Sequence, residues 1–107
     1  MLGYLQEHGP YVMEDDTNYF VPNEYSWNRE VNMLYIESPA GVGFSFYDRD
    51  TLAKFDDYSS SQDNLDALIN FFQKFPEFRA HDLWISGESY AGVYVPFLDW
   101  RIDQYNT

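Results

Sequence analysis

Cysteine is absent from the 107 residues of the sequence. Its absence excludes disulfides, a thiolate nucleophile and cysteine-ligated metals, and it leaves the redox compartment open. Basic residues are scarce as well, with 6 Lys and Arg against 18 Asp and Glu and a formal net charge of −12. This balance argues against nucleic acid and anionic membrane surfaces as partners, because both attract basic patches.

Long apolar runs are also missing, and no stretch approaches the roughly 20 residues that a membrane span needs. The N-terminus has no basic region followed by an apolar one, so no signal peptide is visible. The stretch Gly41-Val42-Gly43 resembles part of a dinucleotide fingerprint, but the third glycine and the opening of a helix are missing. We expect neither a cofactor nor a metal.

Aromatic residues, in contrast, are abundant, with 9 Phe, 10 Tyr and 3 Trp. Such side chains bury large areas, which indicates a folded chain in spite of its polarity. The length lies in the single-domain range, so we expect one domain over residues 1–107.

Four extended segments are predicted from β-branched and aromatic residues bounded by turn residues. Two short ones, Tyr11–Met13 and Tyr19–Val21, flank an acidic turn, and Pro22 ends the second. The mostly apolar stretch Val31–Glu37 is typical of a buried central strand, and Leu83–Ser86 forms a further strand.

The clearest helix lies between these last two strands. Its apolar residues recur at the spacing of one buried face: Leu65, Leu68, Ile69, Phe72 and Phe75. Ser60 and Asp63 are candidates for its N-terminal cap, and Pro76 ends it. A second helix is predicted over about Val93–Gln104. The alternation of strands and helices indicates an α/β fold, with a mainly parallel sheet and covering helices.

Ser89 lies in the stretch Gly87–Gly92, on the turn between the last predicted strand and the last helix. Such an elbow lifts a serine clear of the sheet and directs the first N–H groups of the helix, here that of Tyr90, at a reacting carbonyl. Ala91 stands where the usual Gly-x-Ser-x-Gly pattern has its second glycine. The pentapeptide alone leaves two interpretations open, a nucleophile or a serine that caps a helix.

Two longer stretches, "ESPAGVGFS" at Glu37–Ser45 and "GESYAGVYVP" at Gly87–Pro96, resemble the signature stretches of the serine carboxypeptidases. The stretches "EHGPY" at Glu7–Tyr11, "YSWN" at Tyr25–Asn28 and "FQKFPEF" at Phe72–Phe78 fit the same family in the same order. The resemblance covers essentially the whole chain. It implies a partial α/β-hydrolase fold and a serine-type carboxypeptidase that acts on the C-termini of peptides or proteins.

The resemblance also implies roles for particular residues. Ser89 matches the acylated nucleophile, and Tyr90 matches the residue whose backbone N–H helps to form the oxyanion hole and whose ring borders the substrate. Glu88 and Glu7 match the carboxyl groups that hold the substrate's C-terminal carboxylate. A carboxylate accepts but does not donate hydrogen bonds, so such a Glu must be protonated, and we expect acidic pH to favour the site. For Glu7 the alternative is an ordinary solvated charge.

Several parts of the family's machinery are not found in the sequence. α/β-Hydrolase triads run in the order Ser, acid, His, but no histidine follows Ser89. His8 and His81 both precede it, and neither matches the family's base. The glycine-rich stretch that supplies the second oxyanion N–H is also missing. We therefore expect a fragment truncated at both ends.

Three hypotheses on function follow. The first is a serine-type carboxypeptidase that acts through an acyl-enzyme on Ser89. The second is a catalytically inert, truncated chain, and the third an acyltransferase or esterase of the same family. The family is typically secreted, vacuolar or lysosomal, and we expect the same compartments here.

Overall fold

The computed structural model describes residues 3–13, 18–48 and 55–107. The chain divides into two compact units, an N-terminal unit, Met1–Glu37, and a C-terminal unit, Ser38–Thr107. The single domain over residues 1–107 stays a prediction.

The N-terminal unit opens with a π-helical turn, Gly3–Glu7, followed by an antiparallel pair of strands. Strand β1 spans Tyr11–Met13 and strand β2 spans Phe20–Pro22, with Tyr11 opposite Pro22. The two short extended segments are thus confirmed. Pro22 is the last residue of β2, so the strand ends there, and a proline is tolerated in it because both strands of a two-stranded pair are edges. Most of the predicted acidic turn lies outside the described residues.

A short 3-10 turn, Trp27–Arg29, follows β2, and the Ser26 hydroxyl caps it by accepting a hydrogen bond from the Asn28 N–H. The chain then runs through Val31–Glu37 without pairing in a strand. The exposure of the side chains alternates along this stretch: Leu34 is 43% and Ile36 39% exposed, whereas Met33, Tyr35 and Glu37 are half-buried. The period of two is that of extended backbone, although no partner strand is present among the described residues.

In the C-terminal unit, a glycine-bearing loop follows Pro39. The Val42 N–H donates to the Pro39 carbonyl and the Ser45 N–H to the Val42 carbonyl, which closes two tight turns. Helix α1 then spans Asp57–Lys74, a 3-10 turn spans Pro76–Ala80, and helix α2 spans Ala91–Asn106.

The N-terminal cap of α1 differs from the prediction. Asp56 is the cap, since its carboxylate accepts a hydrogen bond from the Ser59 N–H at 2.7 Å, while the Ser59 hydroxyl accepts from the Asp56 N–H at 3.1 Å. This reciprocal capping box satisfies two backbone donors that the helix leaves free, so the helix begins before Ser60. The prediction of Ser60 and Asp63 as the cap is therefore wrong, and Ser60 is buried within the helix.

The apolar core of the C-terminal unit lies between α1 and α2. Its buried side chains are Leu65, Leu68 and Leu98, and four half-buried ones pack against them: Ile69, Phe72, Ile85 and Ile102. The predicted face of α1 is confirmed except for Phe75, which is 38% exposed. The helix has already ended at that point, and Phe75 is its C-terminal cap residue.

Polar contacts add to this core along the same helix pair. The guanidinium of Arg101 on α2 donates to the Ser61 hydroxyl at 3.2 Å and to the Tyr58 carbonyl at 3.3 Å, both on α1. The Tyr58 ring meets the ring of Phe97 edge to face at 5.0 Å. The first two turns of α1 are thus fixed to the middle of α2.

The predicted parallel sheet is not confirmed. In the ranges that the structure describes, β1 and β2 are the strands, and they run antiparallel. Residues 82–88, which include the predicted strand Leu83–Ser86, lack strand pairing, and only Ile85 among them is half-buried. Within the described ranges, no helix has the length and apolar character to cross a membrane.

Candidate active site

Ser89 stands at the junction between the unpaired segment 82–88 and helix α2. Its φ of 59° makes it the one non-glycine residue with positive φ in the part of the chain that the structure describes. For a residue with a Cβ, this left-handed conformation costs about 1–2 kcal/mol. Two hydrogen bonds across the turn hold it, from the Ala91 N–H to the Glu88 carbonyl at 3.1 Å and from the Gly92 N–H to the Ser89 carbonyl at 3.0 Å. The serine is exposed at the tip of a strained elbow.

Gly87 and Ala91 determine how closely the segment 82–88 and helix α2 approach each other at this turn. A Cβ on Gly87 would collide with the Ala91 Cβ and would come within 3.4 Å of Val95 Cγ2. A Cβ on Gly92 would meet nothing within 4 Å. The close approach therefore depends on Gly87, and Ala91 fits where the usual pattern has a glycine.

Tyr90 is the N-cap residue of α2, with φ −62° and ψ −12°. Its backbone N–H has no acceptor among the described residues, whereas the next three N–H groups, those of Ala91, Gly92 and Val93, bond within the turn. A free N–H at a helix N-terminus, directly after Ser89, is a donor suited to a developing negative charge.

The side chain of Tyr90 contacts Asp57, a residue that the sequence did not indicate as part of the site. Its hydroxyl donates to Oδ2 of Asp57 at 3.4 Å, and its ring meets that of Tyr94 edge to face at 5.0 Å. The charge of Asp57, and then the loss of solvation, raise the pKa of Tyr90, because a phenolate beside a carboxylate is disfavoured. Asp57 lies 33 residues before Tyr90, so no local pattern could have found it.

The two predicted carboxylate-holding residues belong to different units. Glu88 precedes Ser89 in the elbow and is exposed. Glu7 ends the π-helical turn of the N-terminal unit, where its Oε2 lies 4.0 Å from Nε2 of His8. The side-chain amide of Asn23 donates to the carbonyls of Glu7, at 3.1 Å, and Gly9, at 2.9 Å, and so fixes this segment. The pairing of Glu7 with Glu88 stays a prediction.

Each histidine has its own neighbours. The His8 ring stacks on Trp27, with centroids 4.7 Å apart, and on Tyr35 at 5.5 Å, and its Nδ1 lies 2.9 Å from the Tyr35 hydroxyl. Burial, and then the nearby Tyr4, raise the pKa of Tyr35. The His81 ring meets that of Phe78 edge to face at 5.7 Å.

His81 lies in the same unit as Ser89, and no hydrogen bond between their side chains is found within the described ranges. The same ranges contain no group of three His, Asp or Glu side chains that could hold a metal ion. The arrangement at the elbow thus consists of an exposed hydroxyl, an adjacent free backbone donor and an adjacent carboxyl group.

Comparison with known proteins gives a consistent result. The family model for serine carboxypeptidases matches residues 1–107. The chain is 50% identical over 97 residues to serine carboxypeptidase-like 35 of Arabidopsis thaliana, covering 90% of this chain and 20% of the relative. It is 48% identical over 100 residues to serine carboxypeptidase ctsa-4.1 of Caenorhabditis elegans, covering 94% and 21%. It is 47% identical over 96 residues to lysosomal protective protein of Mus musculus, covering 90% and 20%. The chain thus spans about a fifth of the length of these relatives.

Proposed function

The chain belongs to the serine carboxypeptidase family, whose fold is that of the α/β-hydrolases, and on that premise we propose that Ser89 is the nucleophile of a carboxypeptidase reaction. In this reaction the Ser89 hydroxyl attacks the carbonyl of the last peptide bond and loses its proton. The C-terminal amino acid leaves with a proton on its nitrogen, and water then hydrolyses the acyl-enzyme. The left-handed, exposed Ser89 at the elbow is the observation that supports this proposal most directly.

Tyr90 supplies the second element of the proposed chemistry. The tetrahedral intermediate carries a negative oxygen, and the N–H of Tyr90, the first free donor of α2, is suited to stabilise it. Removal of one oxyanion donor typically costs about 10²–10³ in kcat, so this N–H is a large part of the proposed rate enhancement. Neither His8 nor His81 is assigned as the base, because neither matches the family's base and each has other neighbours.

Glu88 and Glu7 are the proposed receptors for the substrate's free carboxylate. Each must be protonated to donate a hydrogen bond, so the proposal predicts tighter substrate binding at acidic pH. An acidic compartment, lysosomal or vacuolar, or secretion into an acidic medium, fits that requirement. One relative is itself named lysosomal protective protein.

The nucleophile is tested with a fluorophosphonate probe on the purified chain. We expect covalent labelling that Ser89→Ala abolishes and Ser86→Ala leaves intact. Ser86 is the matched control, because it is a second exposed serine in the same segment. Equal loss in both variants, or labelling that survives Ser89→Ala, would contradict the assignment of Ser89.

The carboxylate receptors are tested with a pair of peptides that differ only in a free or an amidated C-terminus. We expect release of the last residue from the free acid alone, with a KM that rises as the pH rises. Glu88→Gln should flatten this dependence, because an amide donates a hydrogen bond at any pH. Glu77→Gln, an exposed glutamate in the Pro76–Ala80 turn, serves as the control and should retain the dependence.

A catalytically inert chain is the second candidate, and one observation favours it: within the described part of the C-terminal unit, His81 makes no hydrogen bond to Ser89 and packs against the Phe78 ring. Removal of a triad member lowers the rate by several orders of magnitude. Absence of both probe labelling and peptide release, in a sample whose circular dichroism shows folded helices, would establish this candidate. An acyltransferase or esterase would instead label at Ser89, leave the peptides intact and cleave an ester.

A further inference from the structure

Asp57, the first residue of helix α1, contacts the residue next to the candidate nucleophile. Its Oδ2 accepts a hydrogen bond of 3.4 Å from the hydroxyl of Tyr90, the residue directly after Ser89. We propose that Asp57 is a positioning residue that fixes the orientation of the Tyr90 ring beside Ser89. As far as it concerns substrate, this inference rests on the proposed function of Ser89.

The backbone around Asp57 is itself well fixed, which a positioning residue requires. The capping box between Asp56 and Ser59 closes the turn that contains Asp57. Directly after it, the carbonyl of Tyr58 accepts a hydrogen bond from Arg101 on α2. Asp57 thus lies between two anchored neighbours and is half-buried, so its carboxylate has little freedom to leave Tyr90.

Tyr90, in contrast, has few constraints of its own. Its side chain is 56% exposed, and among the described residues it contacts the Asp57 carboxylate and the Tyr94 ring. An exposed tyrosine retains rotamer freedom unless contacts select one orientation. The hydrogen bond to Asp57 and the ring contact with Tyr94 are the contacts that favour one orientation.

The charge of Asp57 also determines the state of the Tyr90 hydroxyl. The titratable groups that face this hydroxyl are Asp57 and Tyr94, and both act to raise its pKa. The raised pKa of Tyr90 keeps its hydroxyl protonated, and able to donate, to a higher pH than that of an ordinary tyrosine. Replacement of Asp57 by a neutral residue removes the larger of these two effects.

The first experiment measures the contact without any need for activity. Tyrosine ionisation is followed by near-ultraviolet absorbance, and subtraction of the Tyr90→Phe curve isolates the titration of Tyr90. We expect Asp57→Asn to lower the pKa of Tyr90 toward its ordinary value, whereas Asp63→Asn, an exposed acid on the same helix, leaves it unchanged. An unchanged titration of Tyr90 in Asp57→Asn would overturn the proposal even if Ser89 proves active.

The second experiment measures the consequence for substrate in a double-mutant cycle. Loss of this hydrogen bond in Asp57→Asn should increase the KM for the free-acid peptide by about two- to fivefold. In the Tyr90→Phe background the same change should have no further effect, because the hydroxyl is already gone. An equal increase in both backgrounds would show that Asp57 acts on the helix as a whole and would overturn the positioning role. If the wild-type chain neither labels nor cleaves, the proposed function fails, while the titration still decides the contact.

Discussion

The C-terminal unit and the N-terminal unit are stabilised by different forces. In the C-terminal unit, Leu65, Leu68 and Leu98 are buried between two helices of 18 and 16 residues. In the described part of the N-terminal unit no apolar side chain is buried. That unit depends on β1–β2 pairing, the stacked ring of His8 and the hydrogen bonds of Asn23.

This difference bears on the residues proposed for function, because Ser89, Tyr90 and Glu88 lie in the C-terminal unit and Glu7 lies in the N-terminal unit. Ser89 and Tyr90 lie at the start of a helix that a shared apolar core supports, whereas Glu7 ends a short turn that a few polar contacts hold. Apolar burial is spread over many atoms and tolerates the loss of any one surface contact. A segment held by a few hydrogen bonds loses its position when one donor is removed. We therefore expect the nucleophile and the proposed carboxylate receptor to respond to different substitutions.

The largest expected effect is on the helical core. Leu68→Ala removes a side chain that is 6% exposed between α1 and α2. Leucine-to-alanine changes in cores cost about 2–5 kcal/mol, and the small size of this core places the loss at about 2–3 kcal/mol. Hydrogen exchange followed by mass spectrometry should show faster exchange in α1 and α2 and unchanged exchange in β1 and β2.

Leu83→Ala is the matched control for this change, since Leu83 is 48% exposed in the same unit. Its free energy of unfolding should change by less than about 0.5 kcal/mol. Equal losses for the two leucines would show that α1 and α2 do not form a separate core, and the contrast between the units would then fail.

The second effect concerns the turn at Ser89, which leads into helix α2. Gly87→Ala forces a Cβ against that of Ala91, and such overpacking typically costs about 1–3 kcal/mol. We expect a lower melting temperature and a loss of fluorophosphonate labelling. Gly92→Ala, where a Cβ meets nothing within 4 Å, should retain both and gain up to about 1 kcal/mol from helix propensity. Full labelling in Gly87→Ala would show that close packing of the segment 82–88 against helix α2 is not what orients Ser89.

Local features were the ones that the sequence could predict. The apolar period of α1 indicated its buried face, because each member of that face is within a turn or two of the next. The turn at Ser89 was predicted from adjacent residues and lies where expected. Phe75 was wrongly included in the buried face because periodicity does not report where a helix ends. The cap was misplaced because several polar residues precede α1, and only the geometry of Asp56 and Ser59 distinguishes among them.

Non-local features could not be predicted in the same way. Whether Val31–Glu37 pairs as a strand depends on partners far away in the sequence, and no pairing is present in the described ranges. The contact between Asp57 and Tyr90 is likewise non-local. An aspartate at the start of a helix is common for reasons of capping and the helix dipole, so its residue type carries no sign of a second role.

The smallest expected effect is in the N-terminal unit. Asn23→Ala removes the two hydrogen bonds that its side chain donates to Glu7 and Gly9, at a cost of about 1 kcal/mol because the site is partly exposed. Hydrogen exchange should accelerate over residues 3–10 and remain unchanged in α1 and α2. Asn28→Ala is the control, because its backbone N–H alone takes part in the turn after Ser26.

This last substitution also distinguishes the proposed role of Glu7 from that of Ser89. Since Asn23 fixes the segment that ends at Glu7, its loss should raise the KM for the free-acid peptide and leave the rate of fluorophosphonate labelling at Ser89 unchanged. A fall in the labelling rate that matches the rise in KM would show that the polar contacts of the N-terminal unit also support the elbow. In that case the two units would not respond independently to substitution. The contrast between apolar burial and hydrogen bonding would then not explain whether the KM or the labelling of Ser89 changes.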